Sequence, residues 1–334
     1  MEENKESSLE KLTDALGSVV TGIPAPLKKN FFKAFAQLCT AAVDIPIAWL
    51  EGQAQEKRAL NESRVQIIKK GADNIAENIE VPKEYIAKAA SKYASKIVKE
   101  QLNLDEITLI AAKDLSEKEV IEENQVLPEI EDDWLNEFEN LARIKSSQDM
   151  KMIFGKILSG EITNPGTFSI RTLRLVSQLD NNVAKLFQQL CAHAISMCWA
   201  AKDNIIDARV ISLEGNAGAN GLADLGLNYL NLTILQEYGL IISDYNSKID
   251  YSHCIPNELF KVTAFLHFDN KYYALVPTDK EKYEKSIHLS GVALTKAAKE
   301  LLPIIPIIEV PDYITKLNEY FNKKYLKLEK VNIK

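Results

Sequence analysis

The chain has 334 residues and a mass of 37.5 kDa, room for two or three domains at roughly 150 residues each. With 46% hydrophobic and 26% charged residues, 13 Gly and 11 Pro, it is globular in composition, which excludes collagenous, low-complexity and wholly disordered classes. A formal net charge of -7 makes the whole molecule a poor polyelectrolyte partner for nucleic acid.

Four irregularly spaced cysteines, Cys39, Cys191, Cys198 and Cys254, make no disulfide framework and point to a reducing cytosol. The opening MEENKESSLEKLTD has no basic segment followed by an apolar one, so no secretory leader is expected. The most apolar long window, residues 31–50, holds Lys33, Gln37 and Asp44. A Lys or Asp at a bilayer centre costs about 2.5 to 3.5 kcal/mol, so the window is not a free-standing transmembrane helix.

Within that window Phe31, Phe35, Leu38, Ala42, Ile45 and Trp49 recur at steps of three and four, with Lys33, Gln37, Thr40 and Asp44 opposite. The pattern predicts an amphipathic helix broken or kinked at Pro46. Its apolar face is either bundle core or an interfacial membrane element. In the second case Phe31, Phe32, Phe35, Leu38 and Trp49 enter the headgroup boundary while Lys28, Lys29 and Lys33 meet anionic lipid. A polar helix is expected over residues 51–77. Another begins at Pro82 and reaches about Gln101, with Tyr85, Ala89, Tyr93 and Ile97 on one face.

Between residues 100 and 139, fourteen acids face only Lys113 and Lys118. This reads as a solvated linker with a domain boundary near residues 114–130, or as an exposed acidic helix face. The next stretch is the most regular. Asp132 or Asp133 can cap a helix carrying Trp134, Phe138 and Leu141, and Ser146 with Asp149 can form a capping box for one that buries Met150, Ile153, Phe154 and Ile157 and stops at Gly160. Asn164-Pro165-Gly166 turns the chain into a third helix with Ile170, Leu173 and Val176. Asp180 caps a fourth with Val183, Leu186, Phe187, Leu190 and Ala194 inward. Four helices with short connections predict an antiparallel bundle.

From residue 203 the pattern shifts to a helix over 222–238, β-like runs at 240–243, 248–251, 261–267, 272–276 and 286–289, the helix LTKAAKELL and a last amphipathic helix from Asp312. The expected fold is mainly α: an N-terminal helical domain (1–125), a central bundle (126–202) and a winged-helix-like α+β module (203–334).

Catalytic signatures are missing: no G-x-S-x-G, H-E-x-x-H, Walker A or kinase set occurs. Gly215, Gly218 and Gly221 form a glycine-rich stretch without the Lys and Ser or Thr of a phosphate cradle, which favours a flexible loop. Cys191, His193 and Cys198, read as one helix, do not converge as zinc ligands. Nothing in the spacing of His193, His253, His267 and His288 marks a general base. The helix over 222–238 carries no Lys or Arg, and the basic run Lys323, Lys324, Lys327 and Lys330 reads as a solvated face.

Three stretches carry a family resemblance: IPAPLKKNFFKAFAQLCTAAVDIPIAWLEGQAQEKRA (23–59), DWLNEFENLARIKSSQDMKMIFGKILSGEITNPGTFSIRTLRLVSQLD (133–180), and EYGLI (237–241) with LTKAAKEL (294–301), where Ala298 stands in place of an expected glycine. They resemble an uncharacterised bacterial domain family of unknown function that is similar in its helical part to the abortive-infection alpha proteins. The resemblance implies antiviral defence and supplies no catalytic residues. It singles out Glu161, Pro165, Gly166, Ser169, Arg171 and Thr172. These form either a switchable, ligand-contacting turn or a plain connector in which Ser169 caps and Arg171 pairs with Glu161. The expectation is a non-enzymatic interaction or effector protein, with a winged-helix DNA-binding regulator as the alternative. No cofactor, metal or small-molecule substrate is implied. Its partner is another protein or a second copy, with a membrane surface as a further contact and nucleic acid disfavoured. Its place is the cytoplasm or the periphery of the inner membrane.

Overall fold

A computed structural model of the chain describes residues 19–39, 82–118, 127–199, 205–213, 215–256, 262–306 and 308–331. The chain divides into two compact units, Met1–Leu173 and Arg174–Lys334.

In the first unit, helix α1 (Ala25–Leu38) begins with Pro26 in its first turn, where a missing N–H costs nothing. It ends at Leu38, short of the predicted break at Pro46, because Cys39 is extended. Phe31, Phe35 and Leu38 are buried, so this face is interior; Phe32 is half-buried, and Trp49 lies outside the described residues. The polar stripe is used as well. Lys33 Nζ donates to the Ile130 carbonyl at 2.6 Å and lies 2.7 Å from Asp132, while Gln37 bonds Asn136 and Glu139. The predicted helix over 51–77 also falls outside the described residues.

Helix α2 (Lys83–Ser116) runs well past Gln101. Leu104, Ile107, Ala111 and Leu115 are fully or almost fully buried, so the first part of the acidic stretch is a packed helix and not a solvated linker. After α3 (Asp132–Ala142), helix α4 (Gln148–Thr163) is capped by Ser147, one residue later than expected, and continues three residues beyond Gly160. Helices α2 and α4 pack closely at Gly155, where a Cβ would lie 2.4 Å from Ile110 Cγ2. Polar pairs run along the same seam: Lys151 to Glu106 at 2.5 Å, Ser159 to Asp114 at 2.5 Å and Lys118 to Thr163 at 2.7 Å. Gly155→Ala must therefore push a β-branched side chain aside. We expect it to destabilise this unit by about 1 to 3 kcal/mol, read as a lower midpoint of chemical unfolding followed by Trp134 fluorescence.

The second unit corrects the predicted fold class. Helix α5 (Ile170–Gln178) crosses the division and α6 (Asn181–His193) follows, its first amides held by the Asp180 carboxylate at 2.8 and 2.9 Å. The chain then turns extended at Ala194 and forms strand β1 (Ile195–Trp199), not more helix. Strand β2 (Ile205–Ile211), helix α7 (Tyr229–Glu237), β3 (Ser247–Asp250), β4 (Ala264–Phe268), β5 (Lys271–Pro277), β6 (His288–Ala293), α8 (Lys296–Leu301), α9 (Pro311–Asn322) and β7 (Leu326–Val331) complete it. All seven strands join one antiparallel sheet in the order β3-β6-β2-β1-β4-β5-β7. The protein is thus mixed α/β, not mainly α, and the strands expected as a small wing belong to a single large sheet.

Burial explains the misreading of β1. Its first four residues are buried, and a run apolar on both faces has no period to separate strand from helix. One sheet face holds Ile195, Met197, Leu266, Phe268, Leu275 and Leu289, over which Tyr313, Leu317 and Phe321 of α9 pack. Helices α6 and α8 contact β2. At Gly291 in β6 a Cβ would fall 2.0 Å from the Val210 carbonyl oxygen of β2, so only glycine permits that strand spacing.

His193, the last residue of α6, is buried, sits edge-on to Tyr313 with ring centroids 5.0 Å apart, and donates from Nδ1 to the Gln189 carbonyl at 2.8 Å. Desolvation holds its pKa below the ordinary 6.5. The folded state therefore favours neutral imidazole, and the stability this gives is complete above 6.5 and lost as pH falls below it. We expect Tm to fall between about pH 7 and pH 5, and His193→Phe to flatten that part of the profile.

Candidate functional site

The signature residues of the first unit come together in one turn. Asn164-Pro165-Gly166 closes α4, with Gly166 at φ 89°, a left-handed conformation suited to glycine. Glu161, 2% exposed, turns its carboxylate onto this loop: Oε1 accepts from the Gly166 amide at 2.6 Å and Oε2 from the Phe168 amide at 3.0 Å. Trp134 Nε1 donates to the Phe168 carbonyl at 2.6 Å, and a Cβ at Gly160 would lie 2.6 Å from the Phe168 ring. Ser169 caps α5 by accepting from the Thr172 amide at 3.3 Å. Arg171 is exposed.

The geometry is that of a clasp. Both carboxylate oxygens serve backbone donors, which places Glu161 as the anchor of a connector and not as a base. Glu161→Gln keeps one acceptor and strands an amide. The expected loss is about 1 to 3 kcal/mol, with a shift in Trp134 emission that Glu161→Ala deepens.

In the second unit the most strongly held charges are buried. Arg209 of β2, 1% exposed, binds Asp207 through Nε at 2.6 Å and Nη2 at 3.1 Å, and its Nη1 donates to the carbonyls of Ser247 at 2.5 Å and Leu289 at 2.9 Å. Tyr251 donates to Asp207 Oδ2 at 2.7 Å. Burial, with Asp207 alongside, keeps the Tyr251 phenol well above its usual range and so protonated as a donor. Sequence reading passed over this cluster, whose only visible trace is a charged i, i+2 pair inside an otherwise apolar run.

The candidate metal and nucleophile residues do not assemble. Cys191 ends up on α6 and Cys198 on β1. Burial pushes the Cys191 and Cys254 thiols far up, which disfavours the nucleophilic thiolate. Among the described residues no group of three or more His, Cys, Asp or Glu could hold a metal ion, and no helix is long and apolar enough to cross a membrane.

The glycine-rich stretch forms a tight turn. Asn216 accepts through its carbonyl from Ala219 at 3.0 Å and Gly221 at 2.8 Å, and through Oδ1 from Gly218 at 2.8 Å. These amides are already used, so the loop offers no nest for a phosphate.

Among the described residues of the first unit, exposed large apolar side chains gather on the amino-terminal half of α2. Tyr85 is 67% exposed and Tyr93 53%, and Ile97, Val98 and the nearby Ile144 are exposed as well. Lys92, Lys96, Lys99 and Arg143 line a shallow groove of about 790 Å³ beside Tyr93 and Ile144.

These features define a two-unit α/β protein: a helical unit with a clasped connector and an exposed basic, aromatic helix face, and a second unit built on a seven-stranded antiparallel sheet. The chain belongs to the family described as protein of unknown function (DUF2806), whose match covers residues 87–318 and so takes in parts of both units. No curated protein matches the chain, and no solved structure does.

Proposed function

We propose that the protein acts without catalysis, by associating with a second copy of itself, in bacterial antiviral defence of the abortive-infection kind. The association rests on one observation: residues 88–99 of α2 are exposed throughout, with Tyr93 and Ile97 beside a stripe of Lys88, Lys92, Lys96 and Lys99. A continuous apolar and charged helix face of this kind suits a partner better than water.

Charge complementarity selects the partner. Residues 117–133 carry eight acids against the single Lys118, Glu129 and Asp132 among them paired with Lys29 and Lys33 of α1. At 1.5 Å per residue the α2 helix separates Lys92 from Ser116 by about 36 Å, so the basic half cannot reach that stretch by way of its own helix. Two chains with antiparallel α2 helices bring basic and acidic ends together twice, which is the self-complementarity of a two-fold dimer. The defence role rests on the resemblance of the helical segment to abortive-infection alpha proteins and on the lack of catalytic signatures.

Light scattering coupled to size exclusion tests the association. The wild type should be a dimer at about 50 µM and dissociate as salt rises, and the double variant Tyr93→Glu/Ile97→Asp, altered only at exposed positions, should be a monomer. A wild type that is monomeric at low salt ends this reading. Plaque counts on a broad phage panel test the role: protection should be present with the wild type and lost with the double variant, and equal counts with and without the gene would remove the defence assignment.

A further inference from the structure

Strand β7 stands at one end of the seven-stranded sheet, with β5 on one side and, among the described residues, no strand on the other. Which of its backbone groups face outward follows from the pairing. Pro277 of β5 lies opposite Leu326 and has no N–H, and one position on, the Thr278 amide donates to the Tyr325 carbonyl at 2.9 Å. In an antiparallel pair, positions that exchange backbone bonds alternate with positions that do not. Lys327, Glu329 and Val331 therefore bond to β5, while the N–H and C=O groups of Leu326, Leu328 and Lys330 point away from the sheet. Among the described residues no backbone bond joins those outward groups to another part of the chain. The strand at the other end, β3, has only four residues.

The side chains of β7 alternate as well. Leu326 belongs to the core cluster beneath α9, and Leu328 is half-buried against it. Lys327 and Glu329 lie on the opposite face of the sheet, both exposed, and pair with each other at 3.1 Å. An exposed pair of this kind adds little to the stability of its own chain. Both charges are therefore free to meet partners across the edge at small cost.

A row of outward backbone groups is a template for another strand. When the added strand is a second β7 running antiparallel, outward positions must meet outward positions, so the two-fold axis passes through a residue of the strand. An axis at Lys327 sets Lys327 opposite Lys327, and an axis at Glu329 sets Glu329 opposite Glu329; like charges directly opposite are destabilising. An axis at Leu328 sets each Lys327 opposite a Glu329 and Leu328 opposite Leu328. It also brings Leu326 opposite Lys330, so every outward group finds a partner. We infer that β7 is an interface with a second copy of this chain, the two strands antiparallel about a two-fold axis at Leu328 and the two sheets continuous across it. In this register the strand is its own complement, which is what a two-fold contact requires. The contact uses no residue of α2. A single strand pair covers less area than a stable dimer needs, so the association is weak.

Sedimentation equilibrium of the full-length Tyr93→Glu/Ile97→Asp chain, with its α2 face altered, measures this contact by itself. The average mass should rise toward that of a dimer between about 20 µM and 1 mM, with a Kd of about 0.5 mM. On that chain Lys330→Pro removes an outward N–H at an exposed edge position, where proline is tolerated, and should leave a monomer at about 1 mM with Tm within about 2 °C of the parent. Lys327→Glu and Glu329→Lys each set like charges opposite one another and should each stay monomeric. A mixture of the two should associate, because every charge then meets its opposite, and Lys330→Pro in both partners should abolish that association, which a mere attraction of net charges would survive. Three results overturn the inference: a monomer up to about 1 mM, association unaffected by Lys330→Pro, or single charge variants that associate as well as the parent. None of them bears on the α2 contact, which is read in the wild type at lower concentration.

Discussion

A buried guanidinium cannot shed its proton, so the Arg209 side chain dictates what surrounds it. Five N–H donors must be met by acceptors or the site becomes costly. The second unit meets four of them, with two bonds to Asp207 from the same strand, one to the Ser247 carbonyl of β3 and one to the Leu289 carbonyl of β6. Strands β3, β6 and β2 are neighbours in the sheet, so these bonds tie three strands together in one register. A one-residue slip of β2 would turn Arg209 to the opposite face and leave those acceptors behind. Tyr251 completes the arrangement from the chain after β3, and Gly291 allows the close spacing of β6 and β2. Removing one partner of such a buried pair is more damaging than replacing the set, because the remaining charge has no water to turn to.

The first unit uses the same device with neutral and acidic side chains. Asn30 of α1 donates to the Pro128 carbonyl at 2.9 Å and accepts from the Ile130 amide at 3.3 Å, while Glu161 satisfies two amides of the turn that follows α4. In each case a buried side chain serves backbone groups that no helix or strand satisfies, which is the requirement for burying irregular chain. The residues that looked most like a functional signature are therefore largely structural in geometry.

What could be read in the sequence follows from this. Amphipathic elements with one buried face were visible: α1 from Phe31, Phe35 and Leu38, α6 with its Asp180 cap, and β3, β4 and β5 within a few residues of their ends. Elements buried on both faces or interrupted by paired charges were not. The sequence ISMCW offers no alternation, IIDARVI hides its strand behind Asp207 and Arg209, and LKLEKV shows its lysines more plainly than the inward Leu326 and Leu328. Those three strands turn a presumed bundle and wing into one sheet.

Helix α2 shows how unevenly packing supports one element. Its carboxyl-terminal half is anchored by Leu104, Ile107, Ala111 and Leu115, whereas residues 88–99 are exposed on every side. The exposed half has pairs at i, i+4 spacing, Lys88 with Glu84 and Lys96 with Glu100, worth only about 0.3 to 0.5 kcal/mol each. Helix nucleation is the costly step and the packed half has already met it, so the exposed turns need only propagate. Propagation alone does not account for placing Tyr85, Tyr93, Ile97 and Val98 in water. Those side chains add nothing to an isolated helix that alanine would not add more cheaply, and Tyr85, Tyr93 and Ile97 fall beside the lysine stripe. Covering that face is what the proposed self-association would do, while the packed half holds the helix straight.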